Sequence, residues 1–147
     1  MQTTPKISVI IPTLNEEKLI VKTLEQFTPQ LKEKYNIEII ISDGGSTDGT
    51  LSLLSSLVDK IVNAEAGVKQ NIPQGRNAGA KAADGEFLYF LNADTMIQDA
   101  ELFFSNSLKA FSLEWNFALT CRFHVFPEDV KLSDKMFHGF YNNYVRL

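Results

Sequence analysis

Residues Ile39 to Asp43 read I-I-I-S-D, and two glycines follow, so a carboxylate sits where an all-aliphatic run turns sharply. Such a run reads as a strand buried on both faces, which places Asp43 at the point where that strand leaves the sheet. A second acid is found in the same situation: E-F-L-Y-F-L runs straight into N-A-D-T, Asn92 to Thr95. A third polar turn, P-T-L-N-E-E from Pro12, follows the apolar run Ile7 to Ile11. Carboxylates at strand ends can accept hydrogen bonds from a ligand or hold a hard cation. No G-x-G-x-x-G follows the first run, and no G-x-x-x-x-G-K-[ST] occurs anywhere, so no glycine loop cradles phosphate. A bound diphosphate would then be neutralised by Mg²⁺ or Mn²⁺, held by one or two carboxylates together with substrate oxygens.

The elements that position these residues alternate. Ile7 to Ile11 predicts a strand ended by Pro12. Asn15, Glu16 and Glu17 offer an N-cap and first-turn acids for a helix carrying Ile20, Leu24, Phe27 and Leu31, which Pro29 should kink or shorten. Ile37 to Ser42 is the second strand. Ser46 or Thr47 is expected to cap a helix through about Leu57, and Lys60 to Ala64 to form a short third strand. Pro73 to Ala83 reads as a helix of small residues ended by Gly85, followed by a strand from Glu86 to Leu91. A helix from Asp99 to Phe111, a strand from Phe117 to Phe126 and a helix opened by Pro127 complete the series. Alternation of this kind implies βαβ units and a mainly parallel sheet, with the ligand beyond the carboxyl ends of its strands. Asp43 and Asp94 are then expected to face one cleft.

A chain of 147 residues fits one domain, 1–147. Fourteen basic against eighteen acidic residues, with no long basic run, exclude a nucleic-acid backbone as the expected partner. The single cysteine, Cys121, excludes an internal disulfide, and no apolar stretch approaches the ~20 residues of a membrane span. Met1 to Lys6 is polar and unlike a signal peptide, so the expected location is cytoplasmic, with membrane association reserved for a longer protein.

Three blocks carry a resemblance: I-S-V-I-I-P-T-L-N-E-E, D-G-G-S-T-D-G-T, and G-R-N-A-G-A-K-A-A-D-G-E-F-L-Y-F-L-N-A-D-T. In this order and spacing, over roughly the first hundred residues, the chain resembles the nucleotide-binding half of the family-2 glycosyltransferases, inverting enzymes of GT-A fold. The resemblance implies a three-layer α/β/α, Rossmann-like sheet. It also implies transfer of a sugar from a nucleoside diphosphate donor, taken here as UDP-linked, to an acceptor hydroxyl.

By the same resemblance Pro12, Leu14 and Glu16 border the base and ribose, Leu14 standing where many members have an aromatic ring. Asp43 accepts from the base, typically uracil N3–H. The competing reading is that Asp43 and Ser46 only cap the next helix. Arg76, in G-R-N-A-G, lies near the nucleotide or its phosphates, against a plain surface arginine. Asn92 to Asp94 occupies the place of the family's D-x-D motif, with Asn92 a departure that leaves neutral hydrogen bonding and Asp94 as the metal ligand.

P-E-D-V-K-L at Pro127 to Leu132 looks like the family's E-D motif, but it follows Asp94 too closely, so Glu128 and Asp129 are read as first-turn acids of a helix. His124 and His138 lack companion ligands and are read as non-catalytic. The general base and acceptor half are therefore expected outside this chain, which reads as truncated at its C-terminus. The eleven phenylalanines are expected to be covered by further residues or by a second copy. Two rival readings remain: a non-catalytic module that binds nucleotide or a partner, and a nucleotidyltransferase, which the missing glycine loop disfavours.

Overall fold

The computed structural model describes residues 6–54, 56–65, 67–113 and 118–120. Its centre is a four-stranded parallel sheet of β1 (Ile7–Thr13), β2 (Ile37–Asp43), β3 (Lys60–Asn63) and β4 (Phe87–Phe90) in the order β3-β2-β1-β4. The β1–β2 register runs from Ile7 opposite Ile37 to Thr13 opposite Asp43, while Ile10 lies opposite Phe90 of β4. Every residue of β2 is buried, as its aliphatic run requires of a strand covered on both faces.

Two layers of helix provide that cover. On the face of Val9 and Tyr89 lie α1 (Ile20–Glu25) and α2 (Pro29–Tyr35), and Phe27 from the turn between them joins Tyr35 of α2 in a cluster around Phe104. The fully buried ring of Phe104 lies 6.3 Å from Phe27, 5.7 Å from Tyr35 and 5.2 Å from Tyr89, centroid to centroid. The opposite face, with Ser8, Ile10 and Pro12, meets α3 (Ile72–Ala82), and a Cβ on Gly79 would collide with Ile10. The small residues of α3 thus allow the approach that their composition predicts.

α4 (Ala100–Phe111) begins where Asp99 accepts from Leu102 N at 2.9 Å. Chain contacts divide the molecule into two units, with the boundary between Phe104 and Ser105, and the first contains the entire sheet.

Strand positions follow expectation within a residue or two, and Pro29 splits the first helix as predicted, standing at N1 of α2 behind the Thr28 cap. Two expectations fail. Asn15 does not cap α1: it adopts φ 58°, and the helix begins only at Ile20. The helix from Ser46 to Leu57 is reduced to a 3₁₀ turn at Leu51–Leu53. There the side chains of Asp43 and Asp48 take the backbone N–H groups of Ser46 and Thr50, and the Ser52 hydroxyl takes the Gly49 carbonyl, groups that a helix would use. The predicted strand Phe117 to Phe126 and the helix opened by Pro127 fall outside the described residues, apart from 118–120, which are not in a strand.

Candidate functional site

Strand order brings the three polar loops to one edge. β2 and β4 flank β1, so the turns after Thr13, Asp43 and Phe90 open side by side at the carboxyl ends of the strands. The order also reverses between β1 and β4, the switch point where open α/β sheets bind ligands.

Asp43 stands where the sequence places it, but its carboxylate turns into its own loop and the residue is only 2% exposed. Oδ2 accepts from Gly45 N at 2.9 Å and Ser46 N at 2.8 Å, while Oδ1 accepts from the Ser46 hydroxyl and from Thr13 Oγ1 at 3.2 Å. Gly45, at φ +96°, permits the turn. A carboxylate has about four lone-pair positions, so all are engaged within the protein. The capping reading of Asp43 is therefore realised, over a turn rather than a helix.

The loops after β1 and β2 are laced together. Asn15 N donates to Ser46 Oγ at 2.9 Å, and Thr47 N donates to Asn15 Oδ1 at 2.8 Å. Glu16 N donates to Thr50 Oγ1 at 2.8 Å, and that hydroxyl donates in turn to Asp48 Oδ1. Glu17 N donates to Asp48 Oδ2 at 3.2 Å, and Gly49 N returns a bond to Glu17 Oε2 at 2.8 Å. These bonds hold Asp48 below the usual carboxylate range, the Thr50 hydroxyl being the largest influence. Sequence reasoning assigned Asn15 and Ser46 to helix caps and gave Glu17, Asp48 and Thr50 no part in the site. The available signal was the crowding of Ser, Thr, Asn and Asp in both loops.

Pro12 packs beside Gly75 of α3, and Leu14 is 38% exposed at the mouth. The carboxyl of Glu16 is pushed up, first by burial and then by the negative charges of Asp94 and Asp48. The loops after β1 and β4 thus present acids close enough to repel one another.

Arg76 projects from α3, whose start is closed by a capping box between Asn71 and Gln74. Its Nη2 donates to Asn92 Oδ1 at 3.0 Å, and its buried Nε has no partner. Asn92, the departure from D-x-D, is thus held by the arginine expected to serve phosphates. Asn92 and Asp94 are both exposed, and Ala93 between them is buried.

Among the described residues no group of three or more His, Cys, Asp or Glu could hold a metal ion. One exposed aspartate beside a repelled glutamate does suit a hydrated hard cation that takes most of its ligands from phosphate and water. Glu128, Asp129, His124, His138 and Cys121 lie outside the described residues. No helix among the described residues is long and apolar enough to cross a membrane.

The family model described as Glycosyl transferase family 2 matches residues 8–131. A protein of Methanococcus voltae, dolichyl N-acetyl-alpha-D-glucosaminyl phosphate 3-beta-D-2,3-diacetamido-2,3-dideoxy-beta-D-glucuronosyltransferase, is 41% identical over 91 residues, covering 59% of this chain and 28% of its own length. Among solved structures, Staphylococcus aureus TarS 1–349 in complex with UDP-GlcNAc matches with a TM-score of 0.58 and 27% identity, covering 73% of this chain and 31% of that chain. The mannosyltransferase PcManGT from Pyrobaculum calidifontis, in complex with GDP-Man and Mn²⁺, matches with a TM-score of 0.59 and 25% identity, covering 74% and 32%. The chain spans less than a third of each of these proteins.

Proposed function

This chain belongs to glycosyl transferase family 2, and on that premise we propose that it binds a nucleoside diphosphate sugar, UDP-linked, for transfer to an acceptor hydroxyl with inversion. Its fold is the GT-A arrangement of its structural neighbours. The observation that carries the reading is the convergence, at the switch point of the sheet, of the loops bearing Glu16, Asp43 and Asp94, with Arg76 bridging to Asn92.

Each residue then has a part. Pro12, Leu14 and Glu16 border the base and ribose, with Leu14 giving apolar contact. Uracil N3–H reaches Asp43 by taking the place of the Thr13 hydroxyl, the longest of its four bonds. Arg76 keeps guanidinium N–H groups besides the one on Asn92, and these face the diphosphate. Asp94 holds the divalent cation, Mg²⁺ or Mn²⁺, which when bound neutralises the charge gathering on the departing diphosphate. The acceptor hydroxyl loses its proton to a base beyond the residues assigned here, and its oxygen bonds to the anomeric carbon as the bond to the diphosphate breaks. The archaeal relative is named for a dolichyl-linked acceptor, and an acceptor on a lipid carrier would bring this chain to the cytoplasmic face of a membrane.

The test is calorimetric titration of the chain with UDP-, GDP- and ADP-sugars plus Mn²⁺, beside an assay of nucleoside diphosphate release with sugar acceptors. Saturable binding that favours uridine is expected, with little turnover. Binding of none of them overturns the reading. Robust turnover lost in Asp129→Asn would make P-E-D the catalytic motif.

A further inference from the structure

The loop after β4 shows one side to the cleft and the other to α1. Asn92 and Asp94 are exposed, while the backbone groups between and after them are gripped from behind. Thr23 Oγ1, buried in α1, donates to Ala93 O. Gln26, at the end of the same helix, donates from Nε2 to Thr95 O at 3.1 Å and accepts Ile97 N on Oε1 at 2.9 Å. One side-chain amide thus engages the backbone at two residues spaced as in a strand, as a neighbouring strand would. A glutamine that merely closed its own helix would stop at its bond to Thr23 O, at 2.7 Å. The other end of α1 is fastened to the site as well, since Glu16 O accepts from Leu19 N at 3.1 Å and Ile20 N at 3.0 Å. A six-residue helix therefore spans from the loop of Glu16 to the loop of Asp94.

We propose that Gln26, supported by Thr23, is a positioning residue that fixes where the Asn92–Ile97 loop presents the Asp94 carboxylate to a divalent cation. The inference rests on Asp94 as the metal ligand. A lone carboxylate on an untethered turn would lose affinity to its own mobility, because the cation accepts only a narrow range of oxygen distances. Groups that orient a ligand without touching the metal typically govern its affinity roughly 10- to 100-fold.

The experiment compares the wild type with Gln26→Leu, which removes both bonds to the loop and the one to Thr23 O, and Gln26→Glu, which keeps an acceptor for Ile97 N but sets an oxygen against Thr95 O and Thr23 O. Calorimetry measures Mn²⁺ affinity in saturating UDP, and UDP affinity in chelator. Hydrogen exchange reads the Ile97 amide, and thermal melting confirms folding. Expected results are about 10-fold weaker Mn²⁺ affinity in Gln26→Leu, a smaller loss in Gln26→Glu, faster exchange at Ile97 in Gln26→Leu, and metal-free UDP affinity unchanged. Folded variants that bind Mn²⁺ like a metal-dependent wild type overturn the clamp alone, as does unaltered exchange at Ile97 in Gln26→Leu. Equal losses with and without metal also overturn it, since they would indicate a general structural role. A wild type indifferent to Mn²⁺ overturns the metal reading of Asp94, and this inference falls with it.

Discussion

The backbone N–H of Asn15 donates to the hydroxyl of Ser46 at 2.9 Å, and that hydroxyl donates onward to Asp43. A loop from β1 is thereby coupled to the carboxylate at the end of β2 through a single oxygen. Ser46 can do both because a hydroxyl accepts and donates at once, and Asn15, in a left-handed conformation at φ 58°, meets the neighbouring loop with its N–H while its side chain receives Thr47 N. Fixing this geometry before ligand arrives lowers the ordering cost of binding.

Asn15 therefore has two separable duties. Asn15→Gly removes the side-chain acceptor but keeps the backbone easy, whereas Asn15→Ala removes the acceptor and also strains the left-handed residue by ~1 kcal/mol. Urea unfolding should rank stability wild type, then Gly, then Ala. Equal stabilities of the two variants would mean that the backbone conformation costs nothing.

The saturated carboxylate of Asp43 makes a sharper test of base recognition than its simple removal. Thr13→Val takes away the donor that uracil must displace, so UDP affinity should hold or improve. Asp43→Asn presents an amide N–H where an acceptor is needed and should weaken UDP by ~1 to 3 kcal/mol, leaving ADP nearly unchanged. Titration of both nucleotides decides, and a Thr13→Val loss as large as that of Asp43→Asn would rule out the displacement.

What could be read in the sequence was periodic or conformationally forced. The aliphatic run Ile39 to Ile41 located β2, small residues located α3, and Pro29 located a helix break. The strand ends then located Asp43, Asn92 and Asp94. The wiring of the loops was not legible, because a Ser or Asn that can cap a helix can equally bond another loop, and the sequence does not say which loop is near. Gln26 escaped notice for the same reason: its partners, Thr95 and Ile97, lie about 70 positions away in sequence. Glu38, an acid inside the aliphatic strand β2, is buried at the centre of a polar network whose members lie far apart in sequence.

That network gives an acid-stability prediction. Burial alone would raise Glu38, but the Ser8 hydroxyl at 2.6 Å, Asp84 N at 2.8 Å, Lys60 at 3.0 Å and Lys6 at 3.5 Å outweigh it and bring it to about 2. A folded value below the unfolded one means the contribution is present above about pH 4.5 and disappears as pH falls toward 2. It is on the order of 3 kcal/mol, at about 1.4 kcal/mol per unit. Glu38→Gln should be less stable than wild type at pH 7 and lose less on acidification. Parallel pH profiles of unfolding free energy for the two proteins would refute this.

Asn92 and Asp94 are both exposed at the mouth of the site, yet they should respond differently to substitution. Asp94 carries the only charge of the N-A-D turn, so Asp94→Ala should abolish most of the gain in UDP affinity that Mn²⁺ provides. Asn92→Ala should cost less and in another way. It frees the Arg76 nitrogen that it now occupies at 3.0 Å and leaves Asp94 in place, so the metal dependence should persist while affinity falls modestly through the loss of one neutral bond from Asn92 to the ligand, ~0.5 to 1.5 kcal/mol. Asn92→Asp should restore the missing negative charge and strengthen Mn²⁺ binding, unless Arg76 captures that charge as an ion pair. The double variant Asn92→Asp, Arg76→Gln separates these outcomes: a rise in Mn²⁺ affinity only in the double variant would identify Arg76 as the competitor for the charge. If chelator leaves wild-type UDP affinity unchanged, the assignment of Asp94 to a metal is wrong.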